Sequence, residues 1–96
     1  MFEVRQTEIY ADWFAALRDR AARVRIDIRI RRLSLGNSGK VAAVGEGVSE
    51  LKVDFGPGYR IYFVQRGEQL IFLLAGGDKD SQAKDIKMAL QLVRDL

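Results

Sequence analysis

Val48-Ser49-Glu50-Leu51-Lys52-Val53-Asp54-Phe55-Gly56-Pro57-Gly58-Tyr59-Arg60-Ile61-Tyr62-Phe63-Val64-Gln65 is the stretch on which the architecture turns. From Val48 to Phe55 the side chains alternate, with Leu51, Val53 and Phe55 on one face and Glu50, Lys52 and Asp54 on the other. That period of two is the pattern of a strand with one buried face. Gly56-Pro57-Gly58 supplies a hairpin turn, because proline pre-sets one backbone angle and glycine reaches conformations closed to other residues. The chain returns over Tyr59 to Gln65 with Ile61 and Phe63 toward the core, while Arg60, Tyr62 and Val64 share the opposite face. A second hairpin at Arg66-Gly67-Glu68 leads into Gln69 to Ala75, whose continuous apolar run fits a strand in the middle of a sheet, with Gly76-Gly77 as its end. On the other side, Val41 to Val44 follows the Gly36-Asn37-Ser38-Gly39 turn as a short strand, completing a four-strand antiparallel meander.

Helical patterns flank the meander. Asp80 or Ser81 caps a final helix with Ala83, Ile86, Leu90 and Val93 as its buried stripe. At the other end, Phe2 to Arg5 reads as a short strand and Thr7 opens a helix whose Ile9, Tyr10, Trp13, Phe14 and Leu17 form one core stripe. The segment between is ambiguous. Val24-Arg25-Ile26-Asp27-Ile28-Arg29-Ile30-Arg31 alternates as a strand does, yet Ala22, Ile26, Ile30 and Leu33 also fall on one helical face, with Gly36 as a stop. Periodicity does not choose between them. Either way the layout is α+β.

With 96 residues, 48% of them hydrophobic, the chain can bury one modest core, so residues 1–96 are read as a single domain. Its longest apolar run, Leu70 to Ala75, falls short of the roughly 20 residues of a membrane helix. Met1-Phe2-Glu3-Val4-Arg5 has neither the basic nor the apolar region of a signal peptide, and a cytoplasmic protein is expected. There is no cysteine and no histidine, which excludes thiol nucleophiles, Cys/His zinc sites and Ser-His-Asp triads. Proton transfer must then fall to a carboxylate, a lysine or a tyrosine. Net charge is +3, but seven arginines lie between Arg18 and Arg32 with only Asp19 and Asp27 among them. Such a stripe fits a polyanion or an acidic partner, and equally a solvated helix face.

Gly36-Asn37-Ser38-Gly39-Lys40 lacks the spacing of a phosphate-binding loop, and Val41 stands where that loop needs Ser or Thr. Asp78, Asp80 and Asp85 carry the ligand type of a hard cation, but helix capping accounts for them more simply, so no metal and no cofactor is expected. The polar face of the meander is the stronger constellation. Glu50 and Lys52 lie beside Arg60 and Tyr62 there, with Lys79 after the last strand and Lys84, Asp85 and Lys87 on the final helix. Cations with a carboxylate or tyrosine nearby suit the grip of a phosphodiester and the charge of its transition state; an ordinary solvated sheet face has the same composition.

Four segments, with the Gln82 to Ile86 stretch, resemble the RelE/ParE toxins, specifically the phage-derived HigB-like addiction-module killer branch. They are Arg29-Ile30-Arg31-Arg32-Leu33, Gly45-Glu46-Gly47-Val48-Ser49-Glu50-Leu51, Gly56-Pro57-Gly58-Tyr59-Arg60-Ile61-Tyr62-Phe63 and Leu73-Leu74-Ala75-Gly76-Gly77-Asp78-Lys79. The resemblance implies an N-terminal helical hairpin and a C-terminal helix packed on a mainly antiparallel four- to five-stranded sheet, making Val24 to Leu33 helical. It implies a ribosome-dependent mRNA endoribonuclease that needs no metal, silenced by a cognate antitoxin, with a helix-turn-helix partner expected. Arg60 matches the family's arginine at the scissile phosphate, Lys52 a basic residue on the preceding strand, and Lys79 a second basic position. Asp85 falls where several members place a catalytic tyrosine. On this basis Glu50 or Asp85 serves as base, Arg60 and Lys79 hold the phosphoryl charge, Lys52 or Tyr62 assists the leaving oxygen, and Tyr62, Lys84 and Lys87 contact RNA. Arg60 is expected to be exposed. The superfamily also contains gyrase inhibitors, and a non-catalytic interaction module is the other alternative.

Overall fold

β3 (Val48–Val53) and β4 (Tyr59–Arg66) form the hairpin at the centre of the computed structural model, which describes residues 1–96. Their register sets Glu50 opposite Tyr62 and Lys52 opposite Arg60. β2 (Val41–Gly45) pairs antiparallel with β3 through a two-residue turn in which Glu46 and Gly47 both have positive φ, as the tightest hairpins require. β5 (Leu70–Asp78) pairs antiparallel with β4, and β1 (Glu3–Gln6) lies parallel to β5. The sheet is therefore mixed, with the order β1-β5-β4-β3-β2.

Three helices complete an α+β fold: α1 (Glu8–Ala16), α2 (Arg20–Ser34) and α3 (Gln82–Asp95). Thr7 caps α1 by accepting from the Tyr10 N–H and ties it to the sheet by donating to the Leu74 carbonyl. Asp19 caps α2 by accepting from Ala22 N–H. At the far end Gly36 adopts φ +93°, while Gly36 and Asn37 N–H groups donate to the Leu33 and Arg32 carbonyls. This closes the helix as the Gly36 stop signal anticipates. The strand-like alternation of the arginine-rich segment is thus carried on a helix: Ala22, Ile26 and Leu33 are buried, while Val24 and Ile28 are 57% and 44% exposed. No helix is long and apolar enough to cross a membrane.

α1 and α2 cover one face of the sheet, where Tyr10, Ala22, Ile26 and Leu33 meet Leu51, Ile61, Phe63 and Leu73. α3 covers the other, where Ala89 and Val93 meet Val48, Tyr62, Val64 and Leu74. Several expectations change as a result. The face carrying Glu50 and Tyr62 is not solvated, because α3 crosses it. Gly76-Gly77 does not end β5, which runs on to Asp78. A Cβ at Gly76 would lie 2.2 Å from the Trp13 ring, and one at Gly77 would lie 1.7 Å from the Asp85 carboxylate. The glycines serve close approach of a helix on each side, and their backbones stay in the ladder. On α3, Ala83 is exposed and Ala89 is fully buried in its place; on α1, Ile9 lies outside the core.

Candidate functional site

Glu50 is 2% exposed, the one charged residue in the protein's buried core. Strand alternation aims it at α3, and the first turn of that helix closes over it. Its Oε2 accepts from the Tyr62 hydroxyl at 3.1 Å and from Gln82 Nε2 at 3.0 Å. Arg60 Nε lies 3.8 Å from the same oxygen, and Lys52 Nζ lies 4.0 Å from Oε1. Two cations and two neutral donors thus converge on one carboxylate, the arrangement that makes a buried charge tolerable.

Arg60 is less satisfied than its partner. Its side chain is only 15% exposed, and Nε and Nη1 are buried without a hydrogen-bond acceptor. This corrects the expectation of an exposed arginine, and the reason is its place in the sheet. Arg60 sits between Lys52 on β3 and Gly77 on β5, with α3 above. Two guanidinium nitrogens without acceptors are unmatched capacity for anionic oxygens.

Tyr62 is wholly buried, so it does not offer the RNA contact expected of it. Burial, and then the neighbouring Glu50 carboxylate, push its hydroxyl well above the usual phenol range, with Asp85 adding to the effect and Arg60 partly opposing it. It holds its proton, and its role here is to donate to Glu50. Asp85 is half-buried in the first turn of α3, where it accepts from the Ser81 hydroxyl directly above Gly77. Asp78 accepts from the backbone N–H groups of Asp80 and Ser81, closing the turn before α3. The expected side-chain cap is not formed, because Ser81, at the N-cap position, turns its hydroxyl to the Asp85 carboxylate instead.

Five of the expected residues are therefore brought together on the α3 side of the sheet: Glu50, Lys52, Arg60, Tyr62 and Asp85. Lys79 is exposed in the loop between β5 and α3, beside the Gly56-Pro57-Gly58 turn, with its Cβ 3.9 Å from where a Cβ on Gly58 would stand. Lys84 and Lys87 are exposed on α3, lining a shallow surface groove with Met88 and Arg94. Two members of the cluster were missed in the sequence. Gln82 carries a readable signal, since it falls on the same helical face as Ile86, Ala89 and Val93, and a polar residue on a buried stripe needs a buried partner. Gly77 carries none, because its use depends on which side chains stand above it.

Chemically, the cluster is a caged ion pair with cations at its rim. The carboxylate best placed for proton abstraction, Glu50, is engaged on both oxygens, and the Tyr62 proton is held. Asp85 is the less enclosed carboxylate.

No protein-family model matches the sequence. An uncharacterized protein of Haemophilus influenzae is 39% identical over 94 residues, covering 98% of this chain and 95% of that relative. Identity at this level over nearly the full length of both chains places the protein in one family with that Haemophilus influenzae protein.

Proposed function

We propose that the protein is the toxin of a type II toxin–antitoxin module of the RelE/ParE type, acting in the cytoplasm as a metal-independent endoribonuclease on ribosome-bound mRNA. In this reading α1 and α2 are the family's helical hairpin and β2 to β5 its antiparallel meander. The observation that supports it is Arg60, a guanidinium with two unmatched nitrogens, flanked by Lys52 on β3 and by Gly77 on β5, over which the Asp85 carboxylate lies. Because Nε and Nη1 are closed to solvent, a phosphodiester would meet them only where the first turn of α3 gives way, and there it would supply the acceptors they lack. The ribose 2′-oxygen attacks phosphorus as Asp85, the less enclosed carboxylate, takes its proton, in place of the Glu50 that the sequence offered as the other base and that the fold closes off. The bond to the 5′-oxygen breaks, leaving a cyclic phosphate on one fragment and a 5′-hydroxyl on the other. Arg60 and Lys79 stabilise the added charge, and Lys52 protonates the leaving oxygen. Tyr62 acts indirectly by orienting Glu50.

The enclosure of Glu50 and Tyr62 beneath α3 favours a second reading, a ParE-like gyrase inhibitor or interaction module that performs no proton transfer. One experiment separates the two. The chain is induced, RNA 5′ ends are mapped with and without blocked translation initiation, and gyrase supercoiling is assayed in parallel. The nuclease reading expects cuts within translated frames that disappear when initiation is blocked and that weaken in Lys79→Ala, an exposed substitution that leaves the fold intact. Inhibited supercoiling without cuts would replace it with the gyrase reading. The expected partner is a helix-turn-helix antitoxin, recoverable by co-expression with the neighbouring gene.

A further inference from the structure

On the opposite side of the sheet from the Glu50 cluster, α2 and the end of β3 enclose a groove of about 350 Å³. Arg25, Ile28, Arg29 and Arg32 form its helical wall, and Lys40 and Phe55 lie across from them. It holds four of the chain's 16 cationic side chains and, in Asp54, one of its 13 acidic ones. The remaining 12 of each sign cancel, so this one groove accounts for the whole net charge of +3. Its cations are also set in place. Arg29 donates to the Lys52 and Ser38 carbonyls, bracing the wall against the sheet, and the Arg25 guanidinium lies 4.4 Å above the centre of the Phe55 ring.

We infer that this groove docks an acidic amphipathic helix of a partner protein. Arg25, Ile28 and Arg32 fall at i, i+3 and i+7 on α2, so an exposed apolar side chain stands between two arginines about two helical turns apart. A partner helix has the same rise. Carboxylates seven residues apart, with an aliphatic side chain between them, meet both arginines while the aliphatic group enters between Ile28 and Phe55. The apolar component favours protein over nucleic acid. A phosphate backbone gains nothing from the exposed Ile28, and Arg25 covers the Phe55 face that a base would need for stacking. Under the toxin reading the partner is the antitoxin, but the groove's chemistry stands without that reading, because none of the residues assigned to cleavage lines it.

The test uses the full chain and three labelled probes in fluorescence anisotropy: a helical peptide with two glutamates seven residues apart and a leucine between, the same residues permuted, and a single-stranded RNA of similar length. The patterned peptide is expected to bind at low salt and the permuted one to bind at least about tenfold more weakly. Ile28→Ser, which leaves every charge in place, and Arg25→Ser/Arg32→Ser are each expected to lose about tenfold, with unchanged circular dichroism. Equal binding of both peptides, or no binding, overturns the inference. So does RNA that displaces the peptide and is lost in the arginine variant but not in Ile28→Ser, since the groove is then a polyanion site. Toxicity and RNA cleavage do not enter the readout, so failure of the toxin reading leaves this result interpretable.

Discussion

Replacing Glu50 by glutamine keeps the side chain's shape and an acceptor for Tyr62 but removes the only carboxylate within 4.0 Å of Arg60. The guanidinium already has two buried nitrogens without acceptors, so the change leaves a buried cation beside a neutral amide. Breaking one side of a buried ion pair costs about 3–5 kcal/mol, and because the Arg60 side chain retains 15% exposure the lower end applies, about 3 kcal/mol. A domain of this length has roughly 5–14 kcal/mol in total, so the variant stays folded at 25 °C but is severely weakened. Near the melting point each kcal/mol is worth about 4–8 °C at this size, giving a fall of about 12–24 °C in Tm. Calorimetry or circular dichroism at about 0.15 M and about 1 M salt checks it, and the deficit should persist at high salt because buried pairs are weakly screened. Glu50→Gln/Arg60→Gln should recover part of the loss, with a coupling of about 1–3 kcal/mol. A single variant melting within about 2 °C of the parent, or strictly additive effects, would refute the caged-pair account and return Glu50 to consideration as an open catalytic base.

Three further outcomes follow from the same geometry. Tyr10, Tyr59 and Tyr62 all hold their protons above the usual phenol range, chiefly through burial, so folded stability is complete below the unfolded pKa of about 10 and declines above it, by about 1.4 kcal/mol per pH unit for each strongly shifted tyrosine. Tyrosinate absorbance and loss of circular dichroism should therefore rise together in alkali, and tyrosinate in a folded chain would contradict this. Gly76→Ala drives a Cβ into the rigid Trp13 ring and should cost about 3 kcal/mol, whereas Gly77→Ala meets the movable Asp85 carboxylate and the Ser81 hydroxyl and should cost about 1–2 kcal/mol, part of it recovered in Gly77→Ala/Asp85→Ala. Arg60→Ala should lower Tm by at least about 8 °C, so its effect on growth arrest is to be read against Lys79→Ala at matched folded protein.

Much of the architecture is legible in local pattern. Leu51, Val53, Ile61 and Phe63 against Glu50, Arg60 and Tyr62 gave the two faces of the hairpin, and the structure assigns each to the face read from alternation. The helix over Val24 to Leu33 was not legible in this way. A run of apolar residues at every second position satisfies a strand completely and a helix partly, and the exposed Val24 and Ile28 are the residues left over by the helical choice. The parallel pairing of β1 with β5 had no local signal either, since Glu3 and Leu70 meet across most of the chain.

The sequence by itself determined which residues share a side, because the two-residue period of a strand and the turn chemistry of Gly56-Pro57-Gly58 follow from backbone geometry alone. It also determined what chemistry is missing, because an inventory without histidine or cysteine needs no coordinates. Only the tertiary structure decided whether the charged side meets water. That depends on α3, whose Gln82 reaches Glu50 from 32 residues away and whose Asp85 rests over Gly77. The same carboxylate is a solvated surface group or a buried, paired one according to whether another element crosses above it, and that crossing is a property of packing between distant segments.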